Sequence, residues 1–276
     1  MRGSTCTNLG FRYSLTNHEE FVRHASHQAT AQFEKWVSVS HPAPQSNVRL
    51  ACLPYVGGSA SFFFPVFKAL HPSVEVLALQ HPGRQTRLHE PRIDNIPEFA
   101  DQIFAALRHL DDKPLALFGH SMGAVLAYEV ALRMQDAGLP APVRLFASGR
   151  RAPSRYRDER VHTSSDAELV AELRELSGTN EMMLSDPEVV AMILPVIRSD
   201  YTAIEQYRHE PGRRLDCPVT VLTGDSDPRV SLDEAEAWAE HTIGASETEV
   251  FRGGHFFLVD RAAEVIGLVA RRLGPF

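Results

Sequence analysis

The sequence predicts an α/β fold in which helices cover a mostly parallel central sheet. From Val48 onward, short apolar and β-branched runs alternate with segments of helical periodicity, a pattern typical of consecutive βαβ units. The chain has 276 residues, of which 43% are hydrophobic and 23% are charged. These values are ordinary for a soluble globular protein and suit one large domain. A disordered or fibrous chain is therefore excluded.

Each predicted strand is short and apolar throughout, as expected when helices cover both faces of a parallel sheet. The predicted strands are Val48–Leu53, Val74–Leu79, Leu115–Phe118, Val143–Ala147, Val219–Leu222 and Thr248–Phe251. Helical periodicity is clearest between these runs. It predicts helices at Ile96–Leu110, Gly123–Ala137, Leu232–His241 and Arg261–Leu273.

Two segments depart from this alternation. Residues 1–46 are polar and His-rich and end in a Pro-containing run, which predicts an N-terminal extension followed by a domain at residues 47–276. The periodicity within this extension predicts one amphipathic helix from His18 to Val37. About seventy residues separate the strands ending at Ala147 and beginning at Val219, far more than a crossover needs. Helical patterns at Asp166–Leu176 and Pro187–Tyr207 predict a helical lid insertion at about 152–212, above the carboxyl ends of the strands.

Composition and missing motifs exclude several functions. A formal net charge of −7 leaves no basic excess for nucleic acid or an anionic membrane, and no apolar stretch approaches the roughly 20 residues of a membrane span. Three scattered cysteines cannot form a disulfide framework, and no apolar leader is visible. These two observations together predict a cytoplasmic protein. Neither a phosphate loop, a dinucleotide fingerprint nor a zinc pattern occurs, so no cofactor and no metal are expected.

The motif Gly119-His120-Ser121-Met122-Gly123 carries the main chemical prediction. It follows the apolar strand ending at Phe118 and opens a helix, the strand–turn–helix context of a nucleophile elbow. The two glycines let the backbone pass closely while Ser121 is held at a strained tip. A plain glycine turn is the alternative, and the strand–helix context disfavours it.

A serine nucleophile needs a histidine base that a carboxylate orients, and in this fold the chain order is Ser, acid, His. Asp225 and Asp227 both follow the strand ending at Leu222, and His255 follows the last strand after two glycines. We favour Asp227 as the acid because a side chain needs a few residues of loop to reach His255. Asp225 is then expected to cap the turn.

Acyl transfer also needs two backbone N–H groups that stabilise an oxyanion. One is expected at Met122, directly after the nucleophile. The second is expected in the loop after the first core strand, where Gly57-Gly58 permits a tight backbone; Val56 is favoured slightly over Gly57. An ordinary turn at this loop is the alternative.

The chain resembles the discrete, type II thioesterases of polyketide and non-ribosomal peptide assembly lines, over roughly Val48 to the C-terminus. Besides the elbow, the resemblance rests on Leu53–Ala60, Gln80–Arg84, Ser148–Pro153, Ser177–Thr179, Leu194–Tyr201, Gly224–Asp227 and Gly253–Phe257. Asn180 departs from this family, in which a proline is more usual there. The resemblance implies an α/β-hydrolase fold with Ser121 as nucleophile, Asp227 as acid, His255 as base, and Val56 and Met122 as oxyanion amides.

The resemblance also implies that the protein removes aberrant acyl groups from the phosphopantetheine arm of acyl or peptidyl carrier domains, docking transiently and acting as a monomer. An arginine-rich stretch just after the fourth predicted strand includes Arg150 and Arg151, which are candidate contacts for the arm or for an acidic carrier surface. A solvated hinge is an equally weighted alternative for this stretch.

Two further hypotheses use the same fold. An oxygen-ester hydrolase or an acyltransferase would use the same three side chains, because activity depends on the site and the lid rather than on the scaffold. A binding protein without catalysis is disfavoured, since it would have no need for Ser, Asp and His together.

Overall fold

The computed structural model describes residues 30–176 and 184–274. Seven strands form one sheet in the order β1-β3-β2-β4-β5-β6-β7, parallel except for β1. The strands are β1 (Val37–Ser38), β2 (Arg49–Leu53), β3 (Glu75–Leu79), β4 (Leu115–His120), β5 (Arg144–Ser148), β6 (Val219–Gly224) and β7 (Ser246–Phe251). The predicted α/β fold and its six parallel strands are confirmed, with boundaries that shift by at most two residues.

The described helices are α1 (30–36), α2 (Phe64–Leu70), α3 (Ile96–Leu107), α4 (Met122–Asp136), α5 (Asp166–Leu176), α6 (Pro187–Gln206), α7 (Leu232–Glu236), α8 (Phe257–Asp260) and α9 (Ala262–Leu273). Short 3₁₀ turns lie at Ala60–Phe63, Gln85–Arg87, Val161–Thr163 and Ala237–His241. The helix predicted at Leu232–His241 is therefore α7 followed by a 3₁₀ turn. No helix of the described chain is long and apolar enough to cross a membrane.

Alternating side chains of the central strands pack into two separate cores. In β2, Ala51 and Leu53 face the cluster built with α3 and α4, whereas Leu50 and Cys52 face the cluster on the other side of the sheet. Successive side chains of a strand point to opposite faces, so strands that are apolar at every position bury both faces. This explains why the sequence of these strands is continuously hydrophobic.

The segment for which a lid is predicted lies between β5 and β6 and contains α5 and α6. Helices α5 and α6 share a small hydrophobic cluster of their own, which includes Leu169, Leu173 and Ile197. The side chain of Asp186 accepts hydrogen bonds from the first turn of α6 and caps that helix. The motif Ser177–Thr179 and Asn180 lie outside the described residues.

The end of the segment predicted as a polar extension packs against the sheet. Trp36 is fully buried, and the ring of Phe99 and the guanidinium of Arg87 pack against it. Strand β1 then pairs antiparallel with β3, Val37 opposite Leu79. The strand was not predicted because it is only two residues long and lies in a polar segment.

Candidate active site

Ser121 occupies the sharp turn between β4 and α4. Its backbone has φ 54° and ψ −118°, a left-handed conformation that non-glycine residues rarely adopt and that clusters at functional sites. A Cβ atom on Gly119 would lie 2.0 Å from the carbonyl oxygen of Gly123, and one on Gly123 would lie 2.1 Å from that of Leu53. Both glycines are therefore required for the strand and helix to approach each other at this elbow.

His255 and Asp227 meet at the carboxyl ends of β7 and β6. His255 Nδ1 lies 2.9 Å from Asp227 Oδ2, and the two side chains are 5% and 0% exposed. The amide of Arg229 donates to the other carboxylate oxygen at 2.8 Å. A carboxylate accepts only, so the Nδ1 proton of His255 faces Asp227 and the Nε2 atom keeps a lone pair.

Asp225 has a different environment. Its exposed carboxylate accepts hydrogen bonds from the Gly253 amide at 2.9 Å and the Ser226 hydroxyl at 3.1 Å. The Gly253 amide, followed by the Ser226 hydroxyl, lowers the pKa of Asp225. The structure thus brings Asp227 to His255 and uses Asp225 to connect the β6 and β7 loops.

Ser121 and His255 open into the same pocket between the lid and the sheet. The pocket encloses about 660 Å³, part of it open to solvent. Leu173 of α5 and Tyr201 and Ile204 of α6 line it from the lid side. A reacting group bound beside Ser121 is therefore enclosed by the strand ends below and by the lid helices above.

The two backbone amides expected to form an oxyanion hole belong to Val56 and Met122, the residue directly after Ser121. Met122 begins α4, so its N–H has no acceptor within the helix. Val56 lines the pocket, whereas the neighbouring amide of Gly57 donates to Asp200 Oδ2 at 2.8 Å. This commitment of Gly57 favours Val56 as the second donor.

His120 is buried behind the elbow. Its Nδ1 lies 3.0 Å from the hydroxyl of Ser148, and its ring centroid lies 5.1 Å from that of His255. Burial, followed by the charge of His255, keeps the pKa of His120 well below its usual value. A neutral His120 can pack beside His255 without repelling a positive charge there. Gly149 makes room for it, because a Cβ there would lie 2.5 Å from His120 Cε1.

The arginine-rich stretch after β5 is largely neutralised. Arg151 is 4% exposed and forms an ion pair with Glu159. Three further arginines of the stretch also pair with carboxylates, namely Arg155 with Glu240, Arg157 with Glu234 and Arg160 with Asp158. Burial and a local partner thus satisfy the charge of Arg151, which stays a candidate contact only where it lines the pocket beside Ser121.

Arg150 differs from these arginines. Like Arg151 it lines the pocket beside Ser121, but its buried Nε has no hydrogen-bond partner among the described residues. Burial, followed by the charge of Arg151, lowers the pKa of Arg150 to about 9. A guanidinium in this state is suited to hydrogen-bond an acceptor that enters the pocket.

Sequence reasoning assigned no role to Arg84 and Asp200, although both lie within motifs on which the family resemblance rests. The structure joins them directly behind the Gly57 loop. Their positions in two separate motifs were the signal available in the sequence. Their pairing across 116 positions was not visible there.

A parallel sheet with a serine elbow after one strand and an Asp–His pair after two later strands defines the α/β-hydrolase class. Within that class the chain belongs to the thioesterase family, since the family model for the thioesterase domain matches residues 48–273. The chain is accordingly a thioesterase of the type II group, as its sequence motifs predict.

Three similar proteins illustrate this membership. A probable cadicidin biosynthesis thioesterase of Streptomyces griseus is 47% identical over 241 residues, which cover 87% of this chain and 66% of that longer protein. Thioesterase PikA5 of Streptomyces venezuelae is 45% identical, with 86% of this chain and 85% of the relative covered. The type II thioesterase BorB, from the borrelidin biosynthetic cluster, is 49% identical in sequence, and its solved structure matches this one with a TM-score of 0.81. The match covers 86% of this chain and 97% of BorB.

Proposed function

We propose that this enzyme releases acyl groups from the phosphopantetheine arm of acyl or peptidyl carrier domains in a polyketide or non-ribosomal peptide synthase. The observation that carries the proposal is the buried 2.9 Å contact between Asp227 and His255, together with the pocket that His255 and Ser121 both line. This arrangement suits a serine nucleophile with an oriented base. Membership of the type II group supports an editing role, in which aberrant acyl units are removed from blocked carriers.

The reaction follows from the proposed roles. Ser121 Oγ attacks the thioester carbonyl while His255 Nε2 takes its proton, and Asp227 stabilises the imidazolium. The amides of Val56 and Met122 stabilise the negative charge on the carbonyl oxygen. Collapse of this intermediate expels the thiolate, which receives the proton from His255 and leaves an acyl-enzyme. Water, activated by the same histidine, then attacks the ester and releases the carboxylic acid.

The first experiment compares the hydrolysis of acetyl, propionyl and longer acyl N-acetylcysteamine thioesters with that of oxygen esters of the same acyl chains. Ser121→Ala is the control. We expect faster hydrolysis of the thioesters, with loss of turnover in the variant. Preferential hydrolysis of the oxygen esters would contradict the proposal and would favour the esterase hypothesis.

Arg150 is the proposed contact for the phosphopantetheine arm. It lies in the pocket with an unpartnered buried Nε, whereas Arg151 is paired with Glu159. Arg150→Met should raise KM for an acyl-carrier substrate and leave KM for the short N-acetylcysteamine thioester unchanged. Arg271→Met, at an exposed position on α9, is the matched control. An equal rise of KM for both substrates would remove Arg150 from the arm-binding role.

The proposal includes a transient encounter with the carrier domain, a monomeric enzyme and a cytoplasmic location. Titration of the enzyme with an acyl-carrier domain in which the thioester is replaced by a stable amide would test the encounter. We expect rapid exchange and micromolar or weaker affinity, which is typical of small, short-lived interfaces. Sedimentation of the free enzyme should give one species of 30.7 kDa.

A further inference from the structure

A buried ion pair connects the lid to the loop of the proposed oxyanion hole. Arg84 follows β3, and Asp200 lies in the lid helix α6. Arg84 Nη1 lies 2.7 Å from Asp200 Oδ2, and Arg84 Nη2 lies 2.8 Å from Asp200 Oδ1. The side chains are only 7% and 1% exposed. This bidentate geometry fixes both groups in distance and in orientation.

Both partners also bind the backbone of the loop after β2. Asp200 Oδ2 accepts the amide of Gly57 at 2.8 Å, and Arg84 Nη1 donates to the carbonyl of Gly58 at 3.1 Å. Ile197, one turn earlier in α6, lies so close that a Cβ on Gly57 would be 2.9 Å from its Cγ1. Two consecutive residues of the loop are therefore held from the side that faces the lid.

These contacts control the direction of the Val56 amide. The Gly58 amide donates to the carbonyl of Tyr55 at 2.9 Å, closing a tight turn. The carbonyl of Tyr55 and the N–H of Val56 belong to one planar peptide unit and point in opposite directions. Gly57 adopts φ 74° and is conformationally permissive, so the turn depends on outside contacts to keep one geometry. Arg84 and Asp200 supply these contacts at Gly57 and Gly58.

We infer that Arg84 and Asp200 are positioning residues that hold the amide of Val56 in the geometry of the oxyanion hole. The inference rests on the proposed role of Val56 in thioester hydrolysis. A purely stabilising role explains the pair less well, because a buried ion pair is often no more stabilising than apolar residues of similar volume. The arrangement also makes the oxyanion hole depend on the position of α6, since Asp200 is part of the lid.

The test uses Asp200→Asn and Arg84→Lys, with Ser199→Ala as a matched control. Ser199 lies on the same lid helix and donates to the carbonyl of Ile93 at 3.1 Å, a lid–core contact that does not touch the loop. Each pair variant should lower kcat about 10- to 100-fold while KM changes less than about threefold, since one misaligned oxyanion donor costs up to about 100- to 1,000-fold. The control should stay within about threefold of wild type in both constants.

A second readout isolates the oxyanion from general loss of structure. An acyl trifluoromethyl ketone forms a reversible tetrahedral adduct with the serine, and its affinity should fall by about the same factor as kcat. The double variant Arg84→Met/Asp200→Leu removes the ion pair without leaving a buried charge, and decides the question if a single variant does not fold. Wild-type kcat and inhibitor affinity in this double variant, with an unchanged melting temperature, would overturn the inference.

The outcomes separate this inference from the proposed function. If wild-type enzyme and Ser121→Ala show equal thioester turnover, the proposed function is wrong. If wild-type turnover depends on Ser121 while the Arg84 and Asp200 variants match the Ser199→Ala control, only the positioning role is wrong.

Discussion

Replacing Asp227 by asparagine tests the acid assignment most directly. The amide of Arg229 donates to Asp227 Oδ1 at 2.8 Å, so an asparagine at this position will turn its single carbonyl oxygen toward that amide. Its NH₂ group then faces His255 Nδ1 at the 2.9 Å position that the carboxylate oxygen had occupied. A donor at that position forces His255 Nδ1 to accept, which moves the imidazole proton to Nε2. The base then cannot accept the proton of Ser121.

The expected loss in kcat is about 10³- to 10⁴-fold, which is the effect of the wrong tautomer in serine hydrolases. It corresponds to about 4 to 5.5 kcal/mol of transition-state stabilisation. Asp227→Asn and Asp225→Asn are assayed side by side with a short acyl N-acetylcysteamine thioester. Asp225 is exposed and has no contact with His255, so its variant should retain kcat within about threefold.

The melting temperature of each variant is the control for folding. Asp227→Asn keeps the size and most contacts of the native residue, so its melting temperature should change by only a few degrees. A larger loss of kcat in Asp225→Asn than in Asp227→Asn would refute the acid assignment. A loss of less than about tenfold in Asp227→Asn would refute the tautomer argument.

Three further outcomes can be measured independently. Gly149→Ala should lower kcat at least about tenfold, because Gly149 has φ +58° and a Cβ there would press on His120. Gly212→Ala is the control, since Gly212 has φ +86° with open space around it; this variant should be slightly destabilised but fully active. Steady-state assays of both variants check this. Trp36→Ala should lower the free energy of unfolding by about 3–5 kcal/mol in urea titrations, and a loss below about 1 kcal/mol would show that this segment is not part of the core. Burial, followed by the charge of His209, lowers the pKa of His241 to about 4, so between pH 6.5 and 4 the unfolded chain binds more protons at this residue than the folded chain does. The contribution of His241 to stability is therefore complete above pH 6.5 and is lost as the pH falls toward 4. In urea titrations at several pH values, the free energy of unfolding should fall less steeply over this range in His241→Gln than in the wild type.

The parts of the fold that the sequence predicts are those in which one strong local pattern coincides with burial. Most of the parallel strands are largely apolar, β7 being the exception, and the elbow has glycines at the two places where any side chain would collide with backbone. The choice of Asp227 over Asp225 also followed from local reasoning about reach. The glycine pattern and the loop length are local features, although the contacts that they permit, Gly123 with Leu53 and Asp227 with His255, join distant parts of the chain.

Features that depend on distant partners were not predictable in this way. Strand β1 is two residues long, and it exists because Trp36 is buried against α3 and β3 supplies the hydrogen bonds. Arg151 pairs with Glu159 only eight positions away, but its burial beside that carboxylate depends on the fold. Arg84 and Asp200 lie 116 positions apart, and nothing local indicates that their side chains meet. The sequence shows that these residues are present, but it does not show which of them lie close together in the fold.

The outer edge of the sheet has a consequence for the behaviour of the protein at high concentration. Among the residues that the structure describes, strand β7 pairs with β6 and with no strand on its other side, where backbone groups are left without a strand partner. Glu247 and Glu249 alternate along it and bind Arg272, which keeps a row of charged side chains on this strand. A second strand that added to this edge would have to desolvate these charges. The carboxylates thus act as a barrier to sheet extension between molecules, and substitution of both by valine would turn the same edge into a template for aggregation.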